Sequence, residues 1–156
     1  MYKLKIFSYI PNPRVWKAII AGKICGVEVE VIGDKPANLG SWLWDFNPNI
    51  LDENERSLEH KYARKGKRGF SGVLYKTDSF LKAHPFGTVP AAFNPDGDIG
   101  IFESNSILRA VARAGKEFNL YGENEYQASR IDSFLDANLV FAREAQVYIC
   151  LLYTSP

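Results

Sequence analysis

The first third of the chain alternates apolar and polar residues in two stretches, with a helical pattern between them. Lys3–Tyr9 is predicted as a strand, and Leu4 and Phe7 fall on its opposite faces, so both faces are expected to be covered. A helix is predicted from about 14 to 23, and Val27–Ile32 alternates strictly, which is typical of a half-buried strand. A strand, a helix and a strand in about 30 residues predict a βαβ unit with a right-handed crossover.

A second pattern, from 84 to 115, predicts a turn, a strand, a turn, a strand and a helix. Thr88–Phe93 is a short apolar strand that contains Pro90. Because proline cannot donate a ladder hydrogen bond, this strand must be bulged, lie at an edge or be built around a cis peptide bond, and Val89–Pro90 is the candidate for cis. A turn leads into Ile99–Phe102, and the helix that follows is predicted to end at Gly115.

Two points of this second pattern carry candidate chemistry. A cis bond would turn the Val89 backbone away from the sheet, where it could pair with a peptide-like ligand. Ser104 stands where the helix should have its N-cap, and a hydroxyl beside free helix N–H groups is a site for a carboxylate. The alternative is a capped helix after a hairpin, without a ligand.

The stretches F-G-T-V-P-A and F-E-S-N-S-I resemble the glutathione-binding half of the thioredoxin-like domain of glutathione transferases. The E-S-N-S-I form is most like the gamma subunit of eukaryotic translation elongation factor 1, whose N-terminal region is a glutathione-transferase-like module. The resemblance implies an α/β, thioredoxin-like N-terminal domain of order β-α-β-α-β-β-α. It also implies that Val89, before Pro90, pairs with the cysteinyl part of glutathione, and that Glu103 and Ser104 hold the γ-glutamyl carboxylate.

The loop after the first strand is where the resemblance places a catalytic group that steadies the glutathione thiolate. Pro11, Asn12 and Arg14, followed by K-A-x-I-A, match the elongation-factor form of this loop. Asn12 aligns with a catalytic serine and offers an amide donor, while Arg14 would add positive charge near the helix start. Ser8 and Tyr9 are the fallback candidates. The alternative is that all four residues only pack the loop and the strand end.

The segment 34–72 departs from the resemblance, because the usual link to the next helix is shorter by roughly thirty residues. Its aromatic residues are predicted to pin it to the domain: Trp42, Trp44 and Phe46. A basic run, Lys61–Arg68, could hold RNA phosphates or an acidic partner. A solvated, partly mobile excursion is the prediction we favour over that speculative nucleic-acid site. A short helix, Thr77–Pro85, follows the segment.

The remainder of the chain predicts a linker and one long helix. Residues 1–115 form the predicted glutathione-binding domain and 116–123 the linker. Asn124 and Gln127 have the spacing of a capping box, and a helix over 124–149 resembles the first helix of the family's all-α second domain. Residues 150–156 resemble translated sequencing-adapter sequence, so we expect a non-native tail, an incomplete second domain and a fragment of a longer gene product.

Composition narrows the class of protein further. An apolar fraction of 46% and a net charge of +1 indicate a packed core without a global attraction to nucleic acid or membranes. We expect no membrane span, because no apolar run reaches the ~18–20 residues that one needs. Cys25 and Cys150 are too few for a disulfide framework or a metal site, which predicts a cytoplasmic protein without a metal. No role is assigned to His60 or His84.

Three functions stay open at this point. The first is a non-enzymatic module of the elongation factor 1 gamma type, which serves protein assembly in translation and retains residual glutathione binding. Its expected partners are other elongation factor 1 subunits or a homodimer partner. The second is an active glutathione transferase that conjugates glutathione to small electrophiles, and the third is a structural subunit that has lost glutathione. Since Asn12 offers only an amide and most of the helical domain is absent, little or no transferase activity is expected of this chain.

Overall fold

The computed structural model describes residues 3–66, 70, 72–115 and 117–154. Its strands and helices follow the predicted order, with extra strands between the second strand and the short helix. They are β1 (Lys3–Tyr9), α1 (Pro13–Cys25), β2 (Glu28–Asp34), β3 (Trp42–Trp44), β4 (Asn49–Ile50), β5 (Ala63–Lys65), β6 (Val73–Lys76), α2 (Asp78–Ala83), β7 (Ala91–Phe93), β8 (Gly100–Ile101), α3 (Ser104–Ala114) and α4 (Glu125–Thr154).

The first sheet has the order β2-β1-β7-β8. β1 and β2 run parallel around α1, whereas β7 is antiparallel to both β1 and β8. α1 ends where Gly26 adopts a left-handed conformation (φ 72°), which a residue with a side chain rarely adopts. This is the α/β, thioredoxin-like arrangement that the sequence predicts.

Both faces of β1 are covered, as predicted. On one face α1 and α3 enclose a core of aliphatic side chains: Leu4, Ile6, Val15, Val27, Ile107 and Val111. On the other face α2 and the segment after β2 enclose a core rich in aromatic rings: Phe7, Trp44, Phe80 and Phe93. The alternation of Ile6 and Phe7 along β1 therefore separates two different cores.

The segment 34–72, predicted as a solvated, partly mobile excursion, is instead built into the fold, because it contributes three strands, β3, β4 and β5, of a second sheet. We call this four-stranded sheet, of order β4-β3-β6-β5, the inserted sheet. Trp44 pins it, because its side chain is fully buried and its Nε1 donates to the carbonyl of Leu39 at 3.0 Å. The prediction for the aromatic residues is confirmed, because Trp42 and Phe46, although only partly buried, also pack on the first sheet, at ring-centre distances of 5.9 Å to Phe7 and 5.5 Å to Phe93.

α4 begins after a cap close to the predicted one. Asn124 Oδ1 accepts hydrogen bonds from the amides of Tyr126 and Gln127, and Gln127 Oε1 accepts from the amide of Glu123 rather than from that of Asn124. Many apolar side chains of α4 are exposed, as expected of a helix without neighbours on most sides; Tyr126 and Phe141 are examples. Of the helices described, none is both long and apolar enough to cross a membrane.

Candidate functional site

A cleft of about 270 Å³ lies where the first sheet, the inserted sheet and the start of α3 meet. Three structural units supply its walls. They are the β1–α1 junction (Tyr9, Arg14), the inserted sheet and its connections (Trp44, Phe70, Leu74, Lys76), and the turn before β7 with the start of α3 (Gly87, Thr88, Val89, Pro90, Glu103, Ser104). All four predicted glutathione-binding residues, Val89, Pro90, Glu103 and Ser104, line this one cleft.

The Val89–Pro90 peptide bond is cis, as predicted. β7 begins only at Ala91, so the strand is shorter than the predicted Thr88–Phe93. Among the residues that the structure describes, neither the amide nor the carbonyl of Val89 has a hydrogen-bond partner. The backbone of Val89 is therefore available to a peptide-like ligand in the cleft. A second cis bond, Ile10–Pro11, was not predicted.

The start of α3 differs from the prediction at one residue. Ser104 is the first helical residue and not the N-cap, which is Glu103. Glu103 has φ 66°, an uncommon conformation for a residue with a side chain, and its carboxylate forms no capping hydrogen bond. The amides of the first turn thus lack a side-chain cap, and Ser104, the first residue of that turn, lines the cleft, where an anion would satisfy them.

The predicted catalytic residues separate into two pairs. Ser8 and Asn12 are buried and bond to each other, with Asn12 Nδ2 donating to Ser8 Oγ at 3.0 Å. Asn12 Oδ1 accepts from the amide of Arg14 and so caps α1. Neither residue lines the cleft, whereas Tyr9 and Arg14 do. The structure therefore gives the amide of Asn12 an intramolecular use, and its catalytic role stays a prediction.

Sequence analysis did not identify Lys76, the last residue of β6. Its Nζ donates to the carbonyl of Gly87 at 2.7 Å and lies 4.6 Å from the centre of the Trp44 ring. Burial lowers the pKa of Lys76 below its usual value. A lysine that closes an apolar run directly before the Thr77 helix cap is the signal that could have found it.

A polar contact on the other side of the β1–α1 junction was also missed. The ammonium group of Lys17 donates to Asn105 Oδ1, and Asn105 Nδ2 donates to the carbonyl of Leu135 at 2.8 Å. This chain of contacts joins α1, α3 and α4. The pKa of Lys17 is lowered by burial and, to a smaller extent, by the positive charges of Arg14 and Arg109.

The described residues of the basic run, 61–66, do not line the cleft. Arg64 is paired with Asp78 at 3.1 Å, and Lys61 Nζ lies 4.6 Å from the centre of the Tyr62 ring. Lys67 and Arg68, which complete the run, lie outside the described residues. The nucleic-acid contact predicted for Lys61–Arg68 therefore stays a prediction.

Curated proteins resemble the chain over most of its length. No protein-family model matches it. Elongation factor 1-gamma 1 of Oryza sativa subsp. japonica is 40% identical over 133 residues, which are 85% of this chain and 23% of that protein. Probable elongation factor 1-gamma 1 of Arabidopsis thaliana is 38% identical over 133 residues, which are again 85% of this chain and 23% of that protein. The chain thus spans about 23% of the length of these relatives.

A solved structure gives the fold independently of sequence. A Bombyx mori glutathione transferase, BmGSTD1 in complex with GTT, superposes with a TM-score of 0.57 at 18% identity. The match covers 98% of this chain and 56% of that one. At this identity the likeness shows the fold alone. The chain therefore resembles elongation factor 1-gamma proteins in sequence over 85% of its length and has the glutathione transferase fold.

Proposed function

We propose that the chain is a glutathione-binding module of the elongation factor 1 gamma type with little or no transferase activity. The observation that carries the proposal is one cleft that joins three features: the amide and carbonyl of Val89, which have no partner among the described residues, the start of α3 without a side-chain cap, and two cationic side chains. The likeness to elongation factor 1-gamma proteins supports the same class of protein. We also propose a cytoplasmic role in protein assembly during translation elongation.

Glutathione has the groups that this cleft can satisfy. It is a peptide with a carboxylate at each end, so its cysteinyl amide and carbonyl would pair with the backbone of Val89. The γ-glutamyl carboxylate would take the Ser104 hydroxyl and the free amides of α3, since a helix start favours an anion. The carboxyl group of Glu103 would meet the γ-glutamyl ammonium, and the cation of Lys76 suits the second carboxylate.

We expect little transferase turnover because the polar side chains of the β1–α1 junction are not all directed into the cleft. Asn12 is buried outside the cleft lining, where its Nδ2 donates to Ser8 and its Oδ1 accepts from the backbone of α1, so its amide does not face a thiolate in the cleft. Losing one placed donor to an anionic reacting centre costs roughly 10²–10³ in rate. Tyr9, whose side chain lines the cleft, is the observation that favours the rival function, an active transferase.

The test pairs a calorimetric glutathione titration with a conjugation assay that uses a generic aryl halide. We expect binding without substantial turnover, and we expect Ser104→Ala to weaken binding about 10-fold. Ser106→Ala, a change two residues further along α3, serves as the matched control and should bind like the wild type. Ordinary transferase turnover that Tyr9→Phe abolishes would establish the enzyme. Absence of any glutathione binding would favour a structural subunit that has lost the ligand.

Partner subunits of elongation factor 1 are the proposed protein ligands, and a second copy of the chain is the rival. Exposed apolar side chains on α4, such as Phe134 and Phe141, are the surface that supports an assembly role. The measurement is the solution mass of the purified chain alone and after mixing with the other purified subunits. A monomer that shifts mass only in the mixture supports the proposal, and a dimer without added subunits supports the rival.

A further inference from the structure

The inserted sheet has a second concave surface at its β5 edge, a groove of about 380 Å³. Leu74 of β6 joins the aromatic core, so its neighbours Val73 and Tyr75 lie on the opposite face of the sheet, turned away from that core. The groove is lined by Leu58, Ala63, Arg64, Lys65, Gly72 and Val73. None of these residues lines the cleft, so the groove is separate from the candidate glutathione site.

The turn before β5 forms one side of the groove and is fixed onto the sheet. The His60 ring meets the Tyr75 ring edge to face at 5.2 Å and leaves Tyr75 only 4% exposed. The carbonyl of His60 accepts from the amide of Ala63 at 2.8 Å, and its amide donates to the carbonyl of Ser57 at 3.2 Å. Leu58, within this turn, is nevertheless 81% exposed. A partner would meet this leucine already in place, which lowers the entropy cost of binding.

The groove combines apolar surface with positive charge. Leu58 and Val73 are its large apolar residues, and Arg64 and Lys65 are its cations. Arg64 is paired with Asp78, whereas Lys65 has no carboxylate within ion-pairing distance in the described part of the chain. A ligand that suits this surface therefore brings an aliphatic group together with a negative charge.

Addition of a further strand to β5 is disfavoured, although β5 is an edge strand. Because the backbones of Tyr62 and Gly66 bond to β6, the backbone of Ala63 between them faces outwards. Its amide already donates to His60, and its carbonyl accepts from Arg64 Nη1 at 2.9 Å. An added strand would find these backbone groups occupied, so recognition at this edge depends on side chains.

We propose that the groove docks an acidic peptide segment of a partner protein, with an aliphatic side chain of the peptide between Leu58 and Val73 and a neighbouring carboxylate on Lys65. An oligonucleotide is the rival occupant of a basic surface. Single-stranded nucleic acids bind by stacking on aromatic rings, and none of the described residues that line the groove is aromatic. The inference is independent of the proposed function, because the groove and the cleft share no residue.

The experiment measures the fluorescence anisotropy of a short labelled peptide of glutamates with one central leucine, titrated with the whole chain. Replacing the leucine of the peptide by serine should weaken binding about 10-fold, and so should Leu58→Ser or Lys65→Glu in the chain. Glu59→Gln should strengthen binding about 2-fold, because Glu59 is exposed beside Leu58 and repels the peptide.

Two matched controls change the same kinds of residue elsewhere. Ile50→Ser alters an isoleucine that is 57% exposed on β4, at the opposite edge of the inserted sheet. Lys23→Glu reverses an exposed charge in the last turn of α1. Neither residue lines the groove, so both variants should bind the peptide like the wild type.

Circular dichroism checks that each variant is folded, and the comparison of the leucine and serine peptides needs no variant at all. Equal affinity for these two peptides, or no saturable binding up to about 1 mM, overturns the inference. Unchanged affinity in folded Leu58→Ser overturns the placement of the aliphatic anchor. Binding of a labelled oligouridine in place of the peptide, abolished by Lys65→Glu, would assign the surface to nucleic acid instead.

Discussion

The two faces of the first sheet are packed with different kinds of side chain. The face under α1 and α3 buries aliphatic residues such as Ile6 and Val111, whereas the face under α2 and the inserted sheet buries rings. On the ring side, Phe7 and Phe80 both meet Trp44 edge to face, at centre distances of 5.5 and 5.8 Å. Rings in this geometry attract each other beyond the area that they bury.

The two faces of the first sheet also differ in how much they contribute to the cleft. On the aliphatic side, α1 and α3 contribute only residues of their first turns to the cleft. The aromatic side supplies the Trp44 ring beneath Lys76 and continues into the turn that carries Val89. Changes on the aromatic side should therefore alter stability and binding together, while changes on the aliphatic side should mostly alter stability alone.

The largest effect is expected from Trp44→Ala. Its side chain is fully buried between the two sheets, so truncation should lower the free energy of unfolding by about 3–5 kcal/mol and abolish glutathione binding. Urea unfolding followed by circular dichroism measures the first effect. Trp16→Ala on the outer face of α1, where the ring is 51% exposed, is the matched control and should change stability by no more than about 0.5 kcal/mol. A loss below 1 kcal/mol for Trp44→Ala would show that the inserted sheet does not share the aromatic core.

A smaller and pH-dependent effect is expected from His84. Its ring is buried against Phe80 and Phe93, and neither ring nitrogen has a hydrogen-bond partner among the described residues. Burial lowers the pKa of His84 from 6.5 to about 4. Below pH 6.5 the unfolded chain gains a proton that the folded chain does not, so stability should fall by about 3 kcal/mol between pH 6.5 and 4 from this residue.

The measurement for His84 is the free energy of unfolding at pH 7, 6, 5 and 4.5. His84→Phe should keep the packing against Phe80 and Phe93 and remove most of the decrease in the free energy of unfolding that the wild type shows over this range. His60→Phe, a change at the other histidine, should leave the decrease in place. An unaltered pH dependence in His84→Phe would mean that carboxylates cause it.

The sequence predicts the first sheet well because its signals are local. The alternation in β1 and β2 and the turn residues around β7 each lie within one stretch of chain. The strands of the inserted sheet contain only two to four residues, too few for an alternation to be recognised. Its parallel pair, β3 and β6, joins residues about thirty positions apart, which no local pattern records.

The residues of the candidate site likewise fall into those that local motifs predict and those that only the folded structure brings in. Val89, Pro90, Glu103 and Ser104 stand in two compact motifs, so the sequence identifies them and the structure places them in one cleft. Lys76 stands in no motif and enters the cleft only because the inserted sheet folds. The N-cap was misplaced by one residue because a serine is a common cap, whereas the backbone of Glu103 makes the turn.

The starts of α1 and α3 differ in whether a side chain caps them. Asn12→Ala removes the side-chain cap of α1 and the bond to Ser8, and should cost about 1–2 kcal/mol of stability. Ser104→Ala removes no cap and should cost less than about 0.5 kcal/mol, so its effect should be confined to glutathione binding. Urea unfolding of both variants checks the difference. Equal losses of stability would show that Ser104 does cap α3.

The smallest effect is expected at the surface pair that joins the inserted sheet to α2. Arg64 and Asp78 lie 3.1 Å apart, with side chains 37% and 81% exposed. A double-mutant cycle with Arg64→Met and Asp78→Asn should give a coupling below about 0.5 kcal/mol that disappears in 1 M salt. The matched cycle, Trp44→Leu with Phe80→Leu, should give about 0.5–1.5 kcal/mol that salt does not reduce. If the charged pair proved the stronger of the two, the inserted sheet would be attached by its surface, and the aromatic core would not be what unites the two sheets.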